Sequence, residues 1–421
     1  MIDYVQALQR ILAHAAPLPA QTCALAASPG RILASAIRSP IALPSFDNAA
    51  MDGYALRTRE PLSAGSEHAV HGSQAAGDGA RASAAGASEI GAWEIMTGAQ
   101  LPAGLDAVVA VERTELLEVH VDGTPARIRL LDPLAAGDNV RTTGADVARD
   151  ATVVVAGTRI ESPHLMLLAA LGMAQIEVVR CPRVAIICTG KELQNDATRP
   201  LESGRIHSSN GPYLVAALAA AGAQVLSCVT VDDTAITFAD ALQHAVDVGT
   251  DLIISTGAVS MGRYDFVPDT LRRCDAQLLF HHVAIRPGKP LLCATLANGP
   301  LILALPGTPM AVAVGVRFFV APVLRAMAGQ GSEPTLHAVL DMPWQPKPGL
   351  RHFLRASLHL DLDGYLHAAV PSQQQPFLIR PFAEADAWVV LPEDAGDCAA
   401  GTRVEIVSLE PGLPPRIRSP H

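Results

Sequence analysis

The chain has 421 residues, long enough for two to four domains with separate cores. Hydrophobic residues make up 49% and charged residues 17%, which excludes a largely disordered chain; with aromatics at 4%, the cores must be built from Ala, Val, Leu and Ile. A formal net charge of -10 argues against a surface that wraps a polyanion, so no nucleic-acid partner is expected, although local cations and backbone N–H groups can still hold a small anion.

The N-terminal segment lacks a basic stretch followed by an apolar one and does not read as a signal peptide. Val5, Leu8, Ile11 and Leu12 predict one face of an amphipathic helix. Residues 63–92, rich in Ala, Gly and Ser, predict a structure-poor loop or a loosely patterned β region. Short strands are predicted at Ala107–Val111, Glu118–Val121, Arg127–Leu131 and Thr152–Val155, then a short helix at Pro163–Leu171.

The pattern changes near Pro182. Arg183–Gly190 is a continuous apolar run ending in Thr-Gly, as expected of a buried parallel strand entering a loop. Helix Tyr213–Ala221, strand Ala223–Val231, helix Asp240–Val248, strand Asp251–Gly257, strand Pro300–Gly307 and helix Ala311–Met327 follow. Strands and helices alternating at this spacing predict a doubly wound parallel sheet in an α/β domain. The tail, with alternating segments at Thr335–Leu340, Arg351–Leu360, Trp388–Leu391 and Arg403–Val407, predicts a small β-barrel or sandwich. No apolar run reaches the roughly 20 residues of a membrane span. The seven cysteines show no CxxC spacing, which predicts a reduced, cytoplasmic protein with free thiols and no membrane partner.

Three strand ends share one design: Thr189-Gly190-Lys191-Glu192, Ser255 to Gly262 through Gly257 and Ser260, and Leu305-Pro306-Gly307-Thr308-Pro309. Glycine there lets backbone approach a ligand, and free N–H groups at the following helix starts suit phosphate. One such turn is ordinary; three in one domain predict a phosphate-bearing ligand. Glu192, Asp232, Asp233 and Asp265 sit beside these loops, where carboxylates hold Mg²⁺ or else act as helix caps and solvated charges. Arg286 and Lys289 flank a Pro-Gly turn and suit phosphate, or form a surface turn. Pro44–Ala55, with Asp47 and Asp52, reads as an Asx-capped turn entering a strand.

These segments also carry a family resemblance. PSFDNAAMDGYAL, IMTGAQLPAGLDAVV, DNVRTTGADV, VAIICTGKEL, the 251–265 loop, AIRPGKP and LPGTP resemble, in family order across residues 40–330, the motifs of the molybdopterin molybdenumtransferases, the MoeA and gephyrin E-domain family. The resemblance implies a homodimer of four-domain chains. Its domains would be 1–22 plus 178–329 (α/β, like the molybdopterin adenylyltransferase fold), 23–43 plus 144–177 (linker and dimer contact), 44–143 (β-rich arm) and 330–411 (C-terminal barrel). It implies that adenylated molybdopterin is hydrolysed in the presence of molybdate and Mg²⁺, AMP leaves, and molybdenum joins the dithiolene. A molybdopterin adenylyltransferase and apo-molybdoenzymes are further candidate partners, and a non-catalytic carrier is the alternative.

Carried over by motif, Asp52, Thr97, Glu192, Asp232, Asp265 and Lys289 would be catalytic, with Glu192, Asp232 and Asp265 also holding the metal. Arg141, Asp146, Thr189, Gly190, Gly257, Ser260, Gly262, Arg286, Pro306, Gly307, Pro309 and Arg355 would bind the pterin ligand. The chain departs from the family pattern at Lys191, where an acidic residue is usual, at Ala258 for a glycine, at Ala145 for a glutamate, and at Gly211, His282, Arg286, Thr308, Ala311 and Ile379-Arg380.

Overall fold

A computed structural model describes residues 1–79, 91–260, 265–297 and 299–418. The chain divides into two compact units. One comprises Met1–Ala34, Gly157–Glu161 and Gln175–His421, and the other Ser35–Ala156 and Ser162–Ala174.

The first unit is organised around a six-stranded sheet in the order Gln224–Val231, Arg183–Thr189, Leu252–Thr256, Leu301–Leu305, Leu292–Thr295, Gln277–His281. The first four strands are parallel. Leu292–Thr295 runs antiparallel to both neighbours, so the sheet is mixed rather than wholly parallel as expected. The reason is local: Leu292–Thr295 and Leu301–Leu305 are joined by a few residues, too few for the crossover a parallel pair requires.

Apolar residues cover both sheet faces, which is why these strands read as unbroken apolar runs. On one face Ile186, Ile254 and Leu303 pack with Leu214 and Leu218 of helix Asn210–Ala220 and with Val312 and Phe319. On the other, Ile187, Ile253 and Ile302 meet Phe238 and Leu242 of helix Ala235–Asp247 and Leu271 of helix Val267–Arg273. Helix Ala235–Asp247 starts earlier than expected because Thr234 caps it, its hydroxyl accepting the Thr237 N–H at 3.3 Å. Pro309–Met327 is one helical stretch with a π-helical middle at Val316–Val320. It is long and apolar enough to cross a membrane, but 83% of its apolar window is buried in this core.

The N-terminal helix, Tyr4–Leu12, is capped by Asp3, whose carboxylate accepts the Gln6 N–H at 2.8 Å. Its inward face differs from the expected one: Ala7 and Ile11 are fully buried, Tyr4 lies edge-on to Phe319 and Phe353, and Val5 is half exposed. The tail closes into a barrel. Leu336–Leu340, Arg351–Leu360, Leu366–Ala369, Ala387–Leu391 and Arg403–Ser408 form a five-strand circuit closed by pairing of Arg351–Leu360 with Ala387–Leu391. The short strand Ile285–Arg286 pairs alongside Arg351 and His352.

In the second unit a six-stranded sheet runs Ala107–Ala110, Gly53–Leu56, Ala92–Ile95, Glu67–Gln74, Pro125–Leu130, Thr114–Val119. The region 63–92 thus contains an eight-residue strand, with residues 80–90 outside the described residues. Gly53 is required where it stands: a Cβ would lie 1.9 Å from the Val109 carbonyl oxygen across the ladder.

Candidate active site

Strand order decides where a ligand can sit on the first unit. From Arg183–Thr189 the chain passes to Gln224–Val231 on one side and later to Leu252–Thr256 on the other. The loops leaving Thr189 and Thr256 diverge, and a crevice opens at the carboxyl ends of these strands. The two ends are tied together, because the buried Thr189 hydroxyl donates to the Thr256 carbonyl at 3.1 Å. Gly257, at φ +92°, lies against this tie: a Cβ would sit 2.6 Å from Thr189 Oγ1 and 2.8 Å from its carbonyl oxygen. The Gly257 N–H donates to Leu305 at 3.0 Å, and Asn210 Nδ2 donates to the Gly307 carbonyl at 2.8 Å. Thr189, Gly257 and Gly307 are therefore held in one interlocked set of loops. A cavity of about 510 Å³ is lined by Asn195, Ser208, Gly211, Cys228 and Thr230. A second, of about 560 Å³, has Tyr4, Arg317, Glu333 and Phe353 in its walls, and the lining of neither cavity includes Thr189, Gly257 or Gly307.

Ala258 holds φ +49°, a left-handed conformation costing an L-residue roughly 1–2 kcal/mol. The alanine thus keeps a backbone shape that glycine adopts freely. The next residue, Val259, accepts at its carbonyl from His281 Nε2 at 2.8 Å, and His281 stacks on His282 at 3.9 Å. Burial, then His281, Lys289 and the chain's amino terminus, hold the His282 pKa below its usual value. Ser260 is exposed, and Gly262 lies outside the described residues.

The acidic residues approach from separate loops. The Glu192 carboxylate lies over Gly190, where a Cβ would be 2.7 Å from its oxygen. Asp233, rather than Asp232, takes the Lys191 N–H, at 3.2 Å. The Asp232 carbonyl accepts from Thr234 N–H at 2.7 Å and the Thr237 hydroxyl at 3.1 Å, turning the chain into its next helix. Asp265 is half-buried just before helix Val267–Arg273. Among the described residues, Glu192, Asp232 and Asp265 do not bring ligand atoms within 4.8 Å of one another. Each follows a different strand, and the loops of Glu192 and Asp232 are joined where the Lys191 N–H donates to Asp233. The donor set fits a Mg²⁺ ion held by one or two carboxylates and completed by phosphate oxygens and water.

Arg286 and Lys289 are both exposed on the turn that follows strand Ile285–Arg286. The Lys289 carbonyl accepts from Val283 at 2.9 Å, and Gly288 at φ +108° folds over Ile285. Pro306 and Pro309 bracket Thr308, which precedes the long helix. The Met310 N–H in its first turn donates to the Pro376 carbonyl at 3.0 Å.

Arg355 is a correction. In place of an exposed ligand-facing side chain, Arg355 is 1% exposed, donating to the carbonyls of Leu378 at 2.6 Å and Gln373 at 2.7 Å and to Gln374 Oε1 at 3.3 Å. It stands on the strand face opposite Ala356 and Leu358, where the loop before helix Arg380–Ala383 covers it and supplies the acceptors.

On the second unit, Asp52 accepts from both the N–H and the hydroxyl of Thr97, each at 2.7 Å. Asp47 accepts identically from Thr143, each at 2.7 Å. These bonds, the backbone one first in each case, hold both carboxyls below the usual aspartate range. Arg141 is exposed, with a long 3.4 Å bond to the Ala50 carbonyl, and Asp146 is exposed. Thr143 and Asn210 carry no signal in the sequence as site residues, whereas Asp233 stands among the loop carboxylates and Asp47 in the Asx-capped turn. Neither Asp–Thr pairing is marked in the sequence, since the partners lie 45 and 96 positions apart.

Comparison with known proteins identifies the family. Residues 2–172 match the family model described as the MoeA N-terminal region (domain I and II), residues 185–326 the probable molybdopterin binding domain, and residues 337–409 the MoeA C-terminal region (domain IV). The chain is 34% identical over 416 residues to the molybdopterin molybdenumtransferase of Synechococcus elongatus, covering 97% of this chain and 100% of that one. It is 34% identical over 384 residues to the Bacillus subtilis protein of the same name, covering 90% and 87%. The solved structure of the molybdopterin biosynthesis MoeA protein of Pyrococcus horikoshii superposes with a TM-score of 0.80 at 25% identity, over 97% of this chain and 99% of that one.

Proposed function

The chain belongs to the MoeA family of molybdopterin molybdenumtransferases, enzymes of molybdenum cofactor biosynthesis, and from that membership we propose that it inserts molybdenum from molybdate into adenylated molybdopterin with release of AMP. The observation that carries the reading is the interlocked set of Thr189, Gly257 and Gly307 at the sheet's switch point. It offers close backbone approach and helix starts to a diphosphate, which is what the adenylated substrate carries.

Each group then has a task. The exposed Arg286 and Lys289 bind the anionic substrate and neutralise charge developing at phosphorus, while the glycine loops allow its close approach. Glu192, Asp232 and Asp265 supply the candidate ligands for Mg²⁺, which when bound would polarise the phosphate being cut. Pro306 and Pro309 stiffen the loop around Thr308. Asp52 and Thr97, with Arg141 and Asp146, form the second candidate group, on the arm. Homodimerisation, a cytoplasmic location, and contact with a molybdopterin adenylyltransferase and apo-molybdoenzymes belong to the same proposal.

A carrier that binds the cofactor without inserting metal is the second reading, favoured by Lys191 where the family has an acid and by the tail departure at Ile379-Arg380. Purified protein incubated with adenylated molybdopterin, molybdate and Mg²⁺ separates the two. AMP release with activation of an apo-molybdoenzyme supports insertion. Bound ligand with neither product supports the carrier.

A further inference from the structure

The C-terminal barrel carries a cluster that the pterin chemistry does not use. Inside the barrel, Ala338, Leu340, Ala356, Leu358 and Ala368 are buried. Strand side chains alternate between faces, so Asp341, His359 and His367 stand on the outer face of three neighbouring strand segments. Ladder register brings them level. His359 pairs directly with His367, His367 pairs with Val339, and the Asp341 N–H donates to the Ala368 carbonyl at 3.1 Å.

The side chains converge. Asp341 Oδ1 lies 2.8 Å from His367 Nδ1, Asp341 Oδ2 lies 3.8 Å from His359 Nδ1, and the three donor atoms all fall within 4.8 Å of one another. A tetrahedral Zn²⁺ site with bonds of 2.0–2.2 Å has ligand–ligand edges of about 3.3 Å, which these separations straddle. The other nitrogen of His367, Nε2, faces Asp361 Oδ2 at 3.2 Å. Asp361 is itself fixed, its Oδ1 accepting the N–H groups of Asp363 at 3.0 Å and Tyr365 at 2.8 Å in the hairpin turn. A histidine with one nitrogen at the donor cluster and the other held by an anchored carboxylate is the outer-shell arrangement that orients metal-bound imidazole. It also resolves the histidine's bonding, since a cation at Nδ1 and a proton at Nε2 satisfy both carboxylates.

We propose that the barrel binds one divalent transition-metal ion, Zn²⁺ by ligand type, through Asp341, His359 and His367, with Asp361 orienting His367. Two imidazoles and one carboxylate suit Zn²⁺ over Mg²⁺, which prefers oxygen ligands alone. The side chains are partly exposed, from 22% for His367 to 39% for His359, so ions can enter from solvent and a coordination position remains for water. The bound ion would clip three strand segments of the barrel. The site is independent of the sheet domain, and the proposal does not rest on the insertion reaction.

The test uses the full chain, stripped with chelator and titrated with Zn²⁺ against a chromogenic chelator and with Co²⁺ followed by its visible absorption. One ion per chain, tetrahedral Co²⁺ bands and a raised melting temperature are expected. His359→Gln and Asp341→Asn should abolish the bands, and Asp361→Asn should weaken binding about 10–100-fold. All three are partly exposed substitutions, and circular dichroism of the metal-free variants checks the fold. Because free thiols also take Zn²⁺, Cys188→Ser/Cys228→Ser serves as a comparison and should leave the site intact. Failure to bind Zn²⁺ at micromolar concentration overturns the proposal, as does binding that persists in His359→Gln and Asp341→Asn or vanishes in the cysteine variant.

Discussion

Asp52 accepts the backbone N–H and the hydroxyl of Thr97 on a single carboxylate oxygen, both at 2.7 Å, although the two residues lie 45 positions apart. The pair stands at the ends of two antiparallel neighbours, Gly53–Leu56 and Ala92–Ile95, so the sheet itself sets their distance. Thr97 therefore positions the carboxylate. Thr97→Val keeps the backbone bond and removes the hydroxyl one. We expect a several-fold fall in the rate of AMP release with the melting temperature unchanged, while Thr97→Ser restores the rate. A rate equal to wild type in Thr97→Val would show that the hydroxyl does not orient Asp52.

Gly257 tests the interlocked loops. At φ +92° with Thr189 Oγ1 2.6 Å from where a Cβ would be, Gly257→Ala combines a left-handed backbone with a direct clash. The cost should reach about 2 kcal/mol or more. Loss of the Thr189–Thr256 tie should abolish binding of adenylated molybdopterin, measured by calorimetry. Unimpaired binding would place the ligand away from this crevice.

These two sites show what the sequence disclosed. Glycine after an apolar strand is a local signal, so the loops at Thr189, Gly257 and Gly307 could be marked from spacing, as could most strands and helices of the sheet domain. The antiparallel strand Leu292–Thr295 and the barrel strand Leu366–Ala369 were not, because short apolar runs carry no direction and His367 and Ala369 dilute the alternation. The inward face of the first helix was misjudged at Val5 because packing against Phe319 and Phe353 through Tyr4, not local periodicity, set its rotation. At the site, chemistry was legible as residue type but not as contact. Nothing in the chain distinguishes Arg355 as buried, or Asp233 rather than Asp232 as the partner of Lys191.

Arg355 separates structural from ligand-binding arginine. Arg355→Met leaves the carbonyls of Gln373 and Leu378 without their buried donor, which should cost about 3 kcal/mol. Arg355→Lys should recover little, since an ammonium cannot span the same fork of acceptors. Lys289→Ala, by contrast, removes an exposed cation and should raise KM with no change in melting temperature. If Arg355→Met melts like wild type, the loop is not held by this guanidinium.

The two Asp–Thr pairs predict an acid limit for the arm. Thr143 and Thr97 hold Asp47 and Asp52 below the ordinary aspartate pKa. Their contribution is thus fully present above the unfolded value near 3.9 and is lost as pH falls through the lower folded values. Carboxyl NMR titration should show both groups ionised below pH about 4. Asp47→Asn should flatten the acid dependence of arm stability. Midpoints at or above the ordinary value would remove the basis for both pairs.

Insertion of molybdenum is tested by the ratio of AMP released to molybdenum incorporated. Wild-type protein is mixed with adenylated molybdopterin and Mg²⁺, with and without molybdate. Insertion predicts little AMP without molybdate and, with it, AMP and pterin-bound molybdenum appearing together in equal amounts. AMP release that ignores molybdate, or bound substrate that yields neither AMP nor molybdenum cofactor, would contradict the claim.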